Sequence, residues 1–439
     1  MNTEEARFHL TVLVIFIGLI IGVSVLFAKQ NTERKQKLFH HLLGLTCFGT
    51  FFLIFVGAMV ATTRSGMAFM DWPTSNGLIW PGLDKWIHQK DMFWEHIHRL
   101  IAEGVGILAI CLLIWSFFFQ DKKYVKATAL LLIAIIIQGI FGGLTVGKLT
   151  AWWTSTLHGM VAQLVFAFML ILYFESGTIL KKHKPVEDGD GWLYSLPKAV
   201  CIIVLIQLFL GASFRHKMKV AQFSNKLPVE SLGKEIEFKK PGVYNIQFKA
   251  NAEGDFSGMI SDGQVINKKI EKKSVGEKIT LGEFNVEEGK QYSLALNGEF
   301  SDIRIIGPER LNISGEELKF EIVYKEVIEG NRHLLWAHIG FAIVVFLIVL
   351  LLGLYLLKKG ENFGFLKIIS IGIMSSLLIQ IVLGVFAFLT VHERQQNIYD
   401  QLKTIMTSAH LANGALLLAL CAVAMYFCRA GFVKPVTGE

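Results

Sequence analysis

The sequence predicts an all-α polytopic membrane protein: two repeated four-helix groups, one extra N-terminal helix, and an inserted extracytoplasmic domain resembling a β-sandwich. Three observations carry that prediction. Apolar runs of membrane-spanning length recur along the chain, a stretch with strand rhythm separates two of them, and short motifs repeat between the two halves.

Of the 439 residues, 53% are hydrophobic, and the mean hydropathy is +0.48. Hiding that much apolar surface in water would need a very large core. The apolar runs instead have the roughly 20 residues needed to cross about 30 Å of hydrocarbon. Nine spans are expected, at 8–28, 38–61, 93–119, 125–147, 151–174, 194–213, 332–357, 365–391 and 405–428. The net charge of +7 then marks topology and gives no reason to expect nucleic acid as a partner. Lys29–Lys37, Lys122, Lys123, Lys126, Lys181, Lys182, Lys184, Lys358 and Lys359 fall in alternate loops, which makes those loops cytoplasmic. The expected setting is the plasma (inner) membrane, with the N-terminus and segment 214–331 outside and the C-terminus, with Arg429 and Lys434, inside. The first apolar run follows acidic residues Glu4 and Glu5, so no cleavable signal peptide is expected. The five cysteines lie in or beside apolar runs without a CxxC pair and read as buried thiols.

Five regions follow: 1–37, an extra N-terminal helix and cytoplasmic loop; 38–192, a first four-helix half; 193–216, the first helix of a second half; 217–330, the outer domain; and 331–439, the remaining helices. Region 217–330 alternates as strands do, at Tyr244, Ile246, Phe248 and Ala250, at Tyr292, Leu294 and Leu296, and at Leu318, Phe320, Ile322 and Tyr324. Pro241-Gly242, Asp262-Gly263 and Glu288-Gly289 supply turns. No catalytic or metal constellation stands out in it. The membrane part repeats itself: Ile137-Gln138 through Val146 parallels Ile379-Gln380 through Val391, and Thr154–His158 parallels Thr407–His410.

Four histidines, His98, His158, His338 and His410, sit near the outer starts of spans three, five, seven and nine. A single intramembrane histidine can be a packing residue. Four at matched depth, two per repeat, point to function, because polar groups in hydrocarbon are costly. Neutral imidazole is a good axial ligand for heme iron, and neither pair has the cysteines or carboxylates of a zinc or di-iron site. Arg64, Arg99, Arg215 and Arg332 lie near the same surface, where they either pair with propionates or snorkel to the interface. His333 competes with His338 for the ligand role. Glu95 is three residues from His98 and shares its helix face, while His96 is turned away by about 200°. Glu95 reads either as an acid serving a heme ligand or as a first-turn carboxylate favoured by the helix dipole.

Glu95-x-x-His98-Arg99, with Gly57–Met67 and Asp71-Trp72-Pro73 before it and Gly142-Gly143-Leu144-Thr145 and Leu205–Gly211 after it, resembles the motifs of the heme A synthase family. The resemblance covers spans two to nine. It implies eight helices in two halves, and the conversion of heme O to heme A by oxidising a porphyrin methyl to a formyl group. It also implies His98 and His158 at the substrate site with Glu95 catalytic, and heme b held by His338 and His410. The partners it implies, besides membrane lipid, are the heme O-making farnesyltransferase and oxidase assembly factors. This sequence departs from the pattern in its extra first span, its outer domain, Ile339 where an arginine is usual after His338, and the absence of an outer cysteine pair. Two other readings stand beside it: a di-heme b-type electron carrier, and a transporter or sensor with an outer ligand-binding domain.

Overall fold

The computed structural model describes residues 3–75, 77–78, 81–119, 122–177, 183–185, 191–270, 275–313, 315–326, 329–359, 364–393, 401–429 and 432–435. Lys181 and Lys182, among the cytoplasmic markers, lie outside the described residues, as does most of the outer segment 392–404. Two compact units are present, one made of Met1–Met218 with Ile328–Glu439, the other of Lys219–Val327.

Among its described residues the first unit holds nine long helices: α1 (Thr3–Ala28), α2 (Thr32–Thr63), α3 (Lys90–Ser116), α4 (Lys122–Gly147), α5 (Trp152–Ser176), α6 (Gly191–Lys217), α7 (Arg332–Lys359), α8 (Gly364–Glu393) and α9 (Gln401–Arg429). Eight of them, α2 to α9, are long and apolar enough to cross a membrane. In α1 the apolar stretch among the described residues is Ile17–Ala28. Most helices run beyond the apolar runs that predict them, because polar turns extend the helix past the hydrocarbon. α2 shows how: it starts at Thr32, inside the expected loop, with Asn31 Oδ1 accepting from the Arg34 amide (2.9 Å) and Glu33 paired to Lys37 one turn on (2.6 Å).

α2 packs against α3 and α5, and α4 against α3 and α5. α6 packs against α7 and α9, and α8 against α7 and α9. α9 also touches α2 and α5. Small residues make that central position of α9 possible: Ala415, Ala419, Ala422 and Ala424 are buried along it and let neighbouring backbones approach. Outward-facing Leu130, Ile133, Ile136 and Ile140 of α4 are exposed, as lipid-facing side chains must be.

The second unit has two antiparallel sheets. One orders Phe320–Glu326, Lys219–Leu227, Phe300–Gly307, Gly242–Ala250 and Lys278–Val286. The other is six-stranded and includes Gln291–Asn297 and Gly254–Ile260. Inward residues of both, among them Tyr244, Ile246, Phe248, Tyr292, Leu294 and Ile305, form one core, so the alternation read from the sequence marks the buried face. Glu309 is buried within this unit. Its Oε1 accepts from the Lys239 and Lys240 amides (2.8 Å each) and from the Tyr244 hydroxyl (2.7 Å). Burial and that adjacent carboxylate push the Tyr244 phenol well above its ordinary pKa.

Candidate heme sites

The four histidines lie six to nine residues after the first residues of α3, α5, α7 and α9, about 9–14 Å along each axis. Each ring is pressed onto a glycine of the preceding helix. A Cβ added at Gly57 would stand 2.9 Å from His98 Cε1; the corresponding distances are 3.3 Å from Gly142 to His158, 2.7 Å from Gly211 to His338 and 3.1 Å from Gly384 to His410. At Gly57 and Gly211 only glycine admits so close an approach; at Gly142 and Gly384 a methyl would fit only if the ring gave way by a few tenths of an ångström.

Four residues before each glycine, a backbone carbonyl faces the ring: Leu53 for His98, Gln138 for His158, Gln207 for His338 and Gln380 for His410. His338 Nδ1 lies 3.2 Å from the Gln207 carbonyl. A ring nitrogen that donates to a carbonyl fixes the tautomer and leaves Nε2 free for a metal, the usual arrangement around ligating histidines. His338 and His410 stand with ring centres 6.3 Å apart and planes at 86°. Two metal–imidazole bonds of about 2 Å with half a ring at either end come to roughly 6 Å. Among the described residues no group of three or more His, Cys, Asp and Glu could hold a metal ion. Paired imidazoles, with no other donor among the described residues, suit a group that brings its own equatorial ligands, as heme does.

The glutamine side chains clamp the same contacts. Gln138 Nε2 lies 3.0 Å from His158 Nδ1 and donates to the His158 carbonyl (2.9 Å). Gln207 Nε2 donates to the His338 carbonyl (3.0 Å). Gln380 Nε2 lies 3.3 Å from His410 Nδ1, and its Oε1 accepts from Asn413 Nδ2 (2.7 Å), which also donates to the Ser376 carbonyl (2.9 Å).

Glu95 and Arg99 exist in the first pair only; Leu335 and Ile339 occupy the matching positions of α7. Glu95 is buried. Its Oε1 lies 2.6 Å from Arg99 Nη2, and its Oε2 accepts from the Phe69 amide (2.9 Å). Arg99 donates further to the carbonyls of Asp71 (2.8 Å), Phe69 (3.3 Å) and Thr74. The pair thus ties the connection between α2 and α3 onto the N-terminal part of α3. His96 faces that connection too, 4.6 Å from the Trp86 ring centre and 3.4 Å from Ser75 Oγ. Trp72 lies flat on Gly143, where a Cβ would stand 2.7 Å from its ring.

The other arginines are dispersed. Arg215 is half-buried, donates to the Ala58 carbonyl (2.5 Å) and the Thr62 hydroxyl, and has no carboxylate partner among the described residues. Arg64 caps α2 in the left-handed conformation (φ 61°). Arg332 is exposed at the first residue of α7, as is His333 beside it. Ser213, Thr404 and Ser408, on the packed pair α6 and α9, bury hydroxyls without a partner. Composition and spacing single out the histidines, Glu95 and the arginines, but not the glutamines or the cradling glycines. The signal for both lies in the sequence as Gln-x-x-x-Gly at 138–142, 207–211 and 380–384 and Leu-x-x-x-Gly at 53–57.

The COX15-CtaA model, described as cytochrome oxidase assembly protein, matches residues 40–237. Among curated relatives, the heme A synthase of Bartonella quintana (strain Toulouse) is 26% identical over 232 residues, 44% of this chain and 62% of that protein. Over this stretch the chain is similar to heme A synthases. The heme A synthase of Bartonella tribocorum (strain CIP 105476 / IBS 506) is 27% identical over 224 residues (42% and 58%), and that of Rhizobium meliloti (strain 1021) 25% identical over 221 residues (42% and 57%). The chain spans about three fifths of the length of these relatives. The matched stretch contains the first histidine pair, Glu95, Arg99, Gln207, Gly211 and Arg215.

Proposed function

We propose that the chain is an enzyme that converts heme O to heme A, oxidising one porphyrin methyl group to a formyl group for use in terminal oxidases. α2–α5 and α6–α9 act as two repeated four-helix bundles. His98 and His158 take the substrate, and His338 and His410 hold a resident heme b. The observation that carries this reading is the fourfold cradle combined with a single Glu95–Arg99 pair: two like sites, of which one alone has an acid beside it. Bound heme supplies redox chemistry. The protein's own residues orient it, with the cradled imidazoles offering Nε2 and the apolar helices excluding water. Arg215, a half-buried cation without a carboxylate partner among the described residues, is the best placed of the four arginines to meet a propionate; Arg64 and Arg332 stand at the outer rim. Arg99 is engaged by Glu95 and the connecting segment, and it acts on the site through them. The N-terminus and the β domain face outward and the C-terminus the cytoplasm. Substrate comes from the farnesyltransferase that makes heme O, and product passes to oxidase assembly.

Co-expression with a heme O-making enzyme, followed by heme extraction and chromatography, tests the reading. Heme A in the extract is the expected result. Heme b without heme A identifies a di-heme b-type electron carrier instead, and a chain without heme leaves the transporter or sensor reading.

A further inference from the structure

The two histidine pairs are not equally braced. In the second pair a glutamine ties each histidine to its neighbouring helix, Gln207 to His338 and Gln380 to His410, and Asn413 and Ser376 lock Gln380 in turn. In the first pair only His158 has such a clamp, Gln138. The position matching Gln207 is Leu53, which can donate nothing to the His98 carbonyl. His98 Nδ1 faces the Leu53 carbonyl but makes no hydrogen bond of normal geometry, and it is buried without a partner. The position matching Asn413 is Val161, and the Gln138 Oε1 that an asparagine there would meet is buried and unpartnered, as is that of Gln207.

We propose that Leu53 makes His98 the releasable ligand of the first site, so that this site exchanges its heme while the glutamine-clamped second site retains its own. The inference rests on the reading of both pairs as heme sites. An enzyme whose substrate and product are both hemes needs one site that lets go, and His98 is the histidine with the fewest ties to the helix beside it. Leu53 is a positioning residue, acting through His98 and the α2–α3 contact.

The test uses the full-length chain in detergent, loaded with heme b and mixed with apomyoglobin as a trap, with absorbance followed over time. Two phases are expected, the slow one missing in His410→Ala. Leu53→Gln, which supplies the amide found at Gln207, should slow the fast phase by roughly threefold to tenfold, the effect of about one net hydrogen bond, and leave the slow phase alone. Gln207→Leu should speed the slow phase by a similar factor and leave the fast phase alone. General loosening of the fold would speed both phases in both variants, so the selectivity is diagnostic. A single phase in the wild type, or a Leu53→Gln variant of normal heme content with an unslowed fast phase, overturns the proposal. If Leu53→Gln does not accumulate in folded form, an unchanged slow phase in Gln207→Leu overturns it. A wild-type chain that binds no heme overturns the functional reading along with it.

Discussion

Both carboxylate oxygens of Glu95 are occupied, one by Arg99 and one by the Phe69 amide. That divides its role into two parts that substitutions can separate. Glu95→Gln keeps an acceptor for the amide but removes the charge. Arg99→Gln removes the cation and leaves the carboxylate. If Glu95 handles protons, Glu95→Gln should cut the heme A to heme O ratio by roughly 10²–10⁴-fold, the range of general acid–base catalysis. Arg99→Gln should cut it less, although both variants loosen the connection and speed its limited proteolysis. Equal ratios in the two variants, with equal proteolysis, would reduce Glu95 to an anchor. For the second pair, His338→Ala or His410→Ala should lower heme b affinity by more than the 10–100-fold typical of losing an outer partner of a metal ligand. Pyridine hemochrome content of the purified variants measures it, and unchanged content in both would remove these histidines from the site.

At the scale of helices, the cradle predicts a ranking. Alanine is favoured over glycine in a helix by up to about 1 kcal/mol, so any loss on Gly→Ala must come from the histidine that the new methyl meets. Gly211→Ala, at 2.7 Å, should displace its ring most, then Gly57→Ala, then Gly384→Ala, and Gly142→Ala least, at 3.3 Å. Heme content across the four variants should follow that order, and a flat or reversed series would mean that the rings yield without cost. This is also where the sequence stops being legible. Apolar length shows the helices, and four polar rings in hydrocarbon mark the candidate sites, because each costs enough free energy to need a reason. A glycine in a membrane helix is common, and Gln207 or Gln380 read alone is an ordinary buried amide. Their meaning arises only when α6 meets α7 and α8 meets α9, a long-range contact that no local pattern encodes. In the sequence Glu95 reads either as an acid serving a heme ligand or as a first-turn carboxylate favoured by the helix dipole. The structure adds a third role, since Phe69 and Asp71 lie more than twenty residues earlier in the chain.

Across the whole molecule, the β unit is an insertion between helices that already meet. Lys217, the last residue of α6, accepts a hydrogen bond to its carbonyl from Asn331 Nδ2 (3.1 Å), one residue before α7. Replacing 220–328 by a short Gly/Ser linker should leave membrane insertion and heme b content unchanged and heme A production measurable. A well-inserted, heme-loaded deletion variant that makes no heme A would show that the domain takes part in the chemistry. The strand rhythm of this unit is legible because two-residue alternation is local and its buried face is one-sided.

The closeness of Lys217 and Asn331 has a wider bearing. Closing a loop between fixed neighbouring ends costs only about 0.6 kcal/mol more each time its length doubles. The connection between α6 and α7 is therefore a socket, where added chain length costs little. The corresponding connection of the first half is stitched to α3 through Glu95, His96 and Arg99 and has no such freedom. Of the two connections, one is held to its helix by an ion pair and backbone contacts, and the other can take on added chain at little cost.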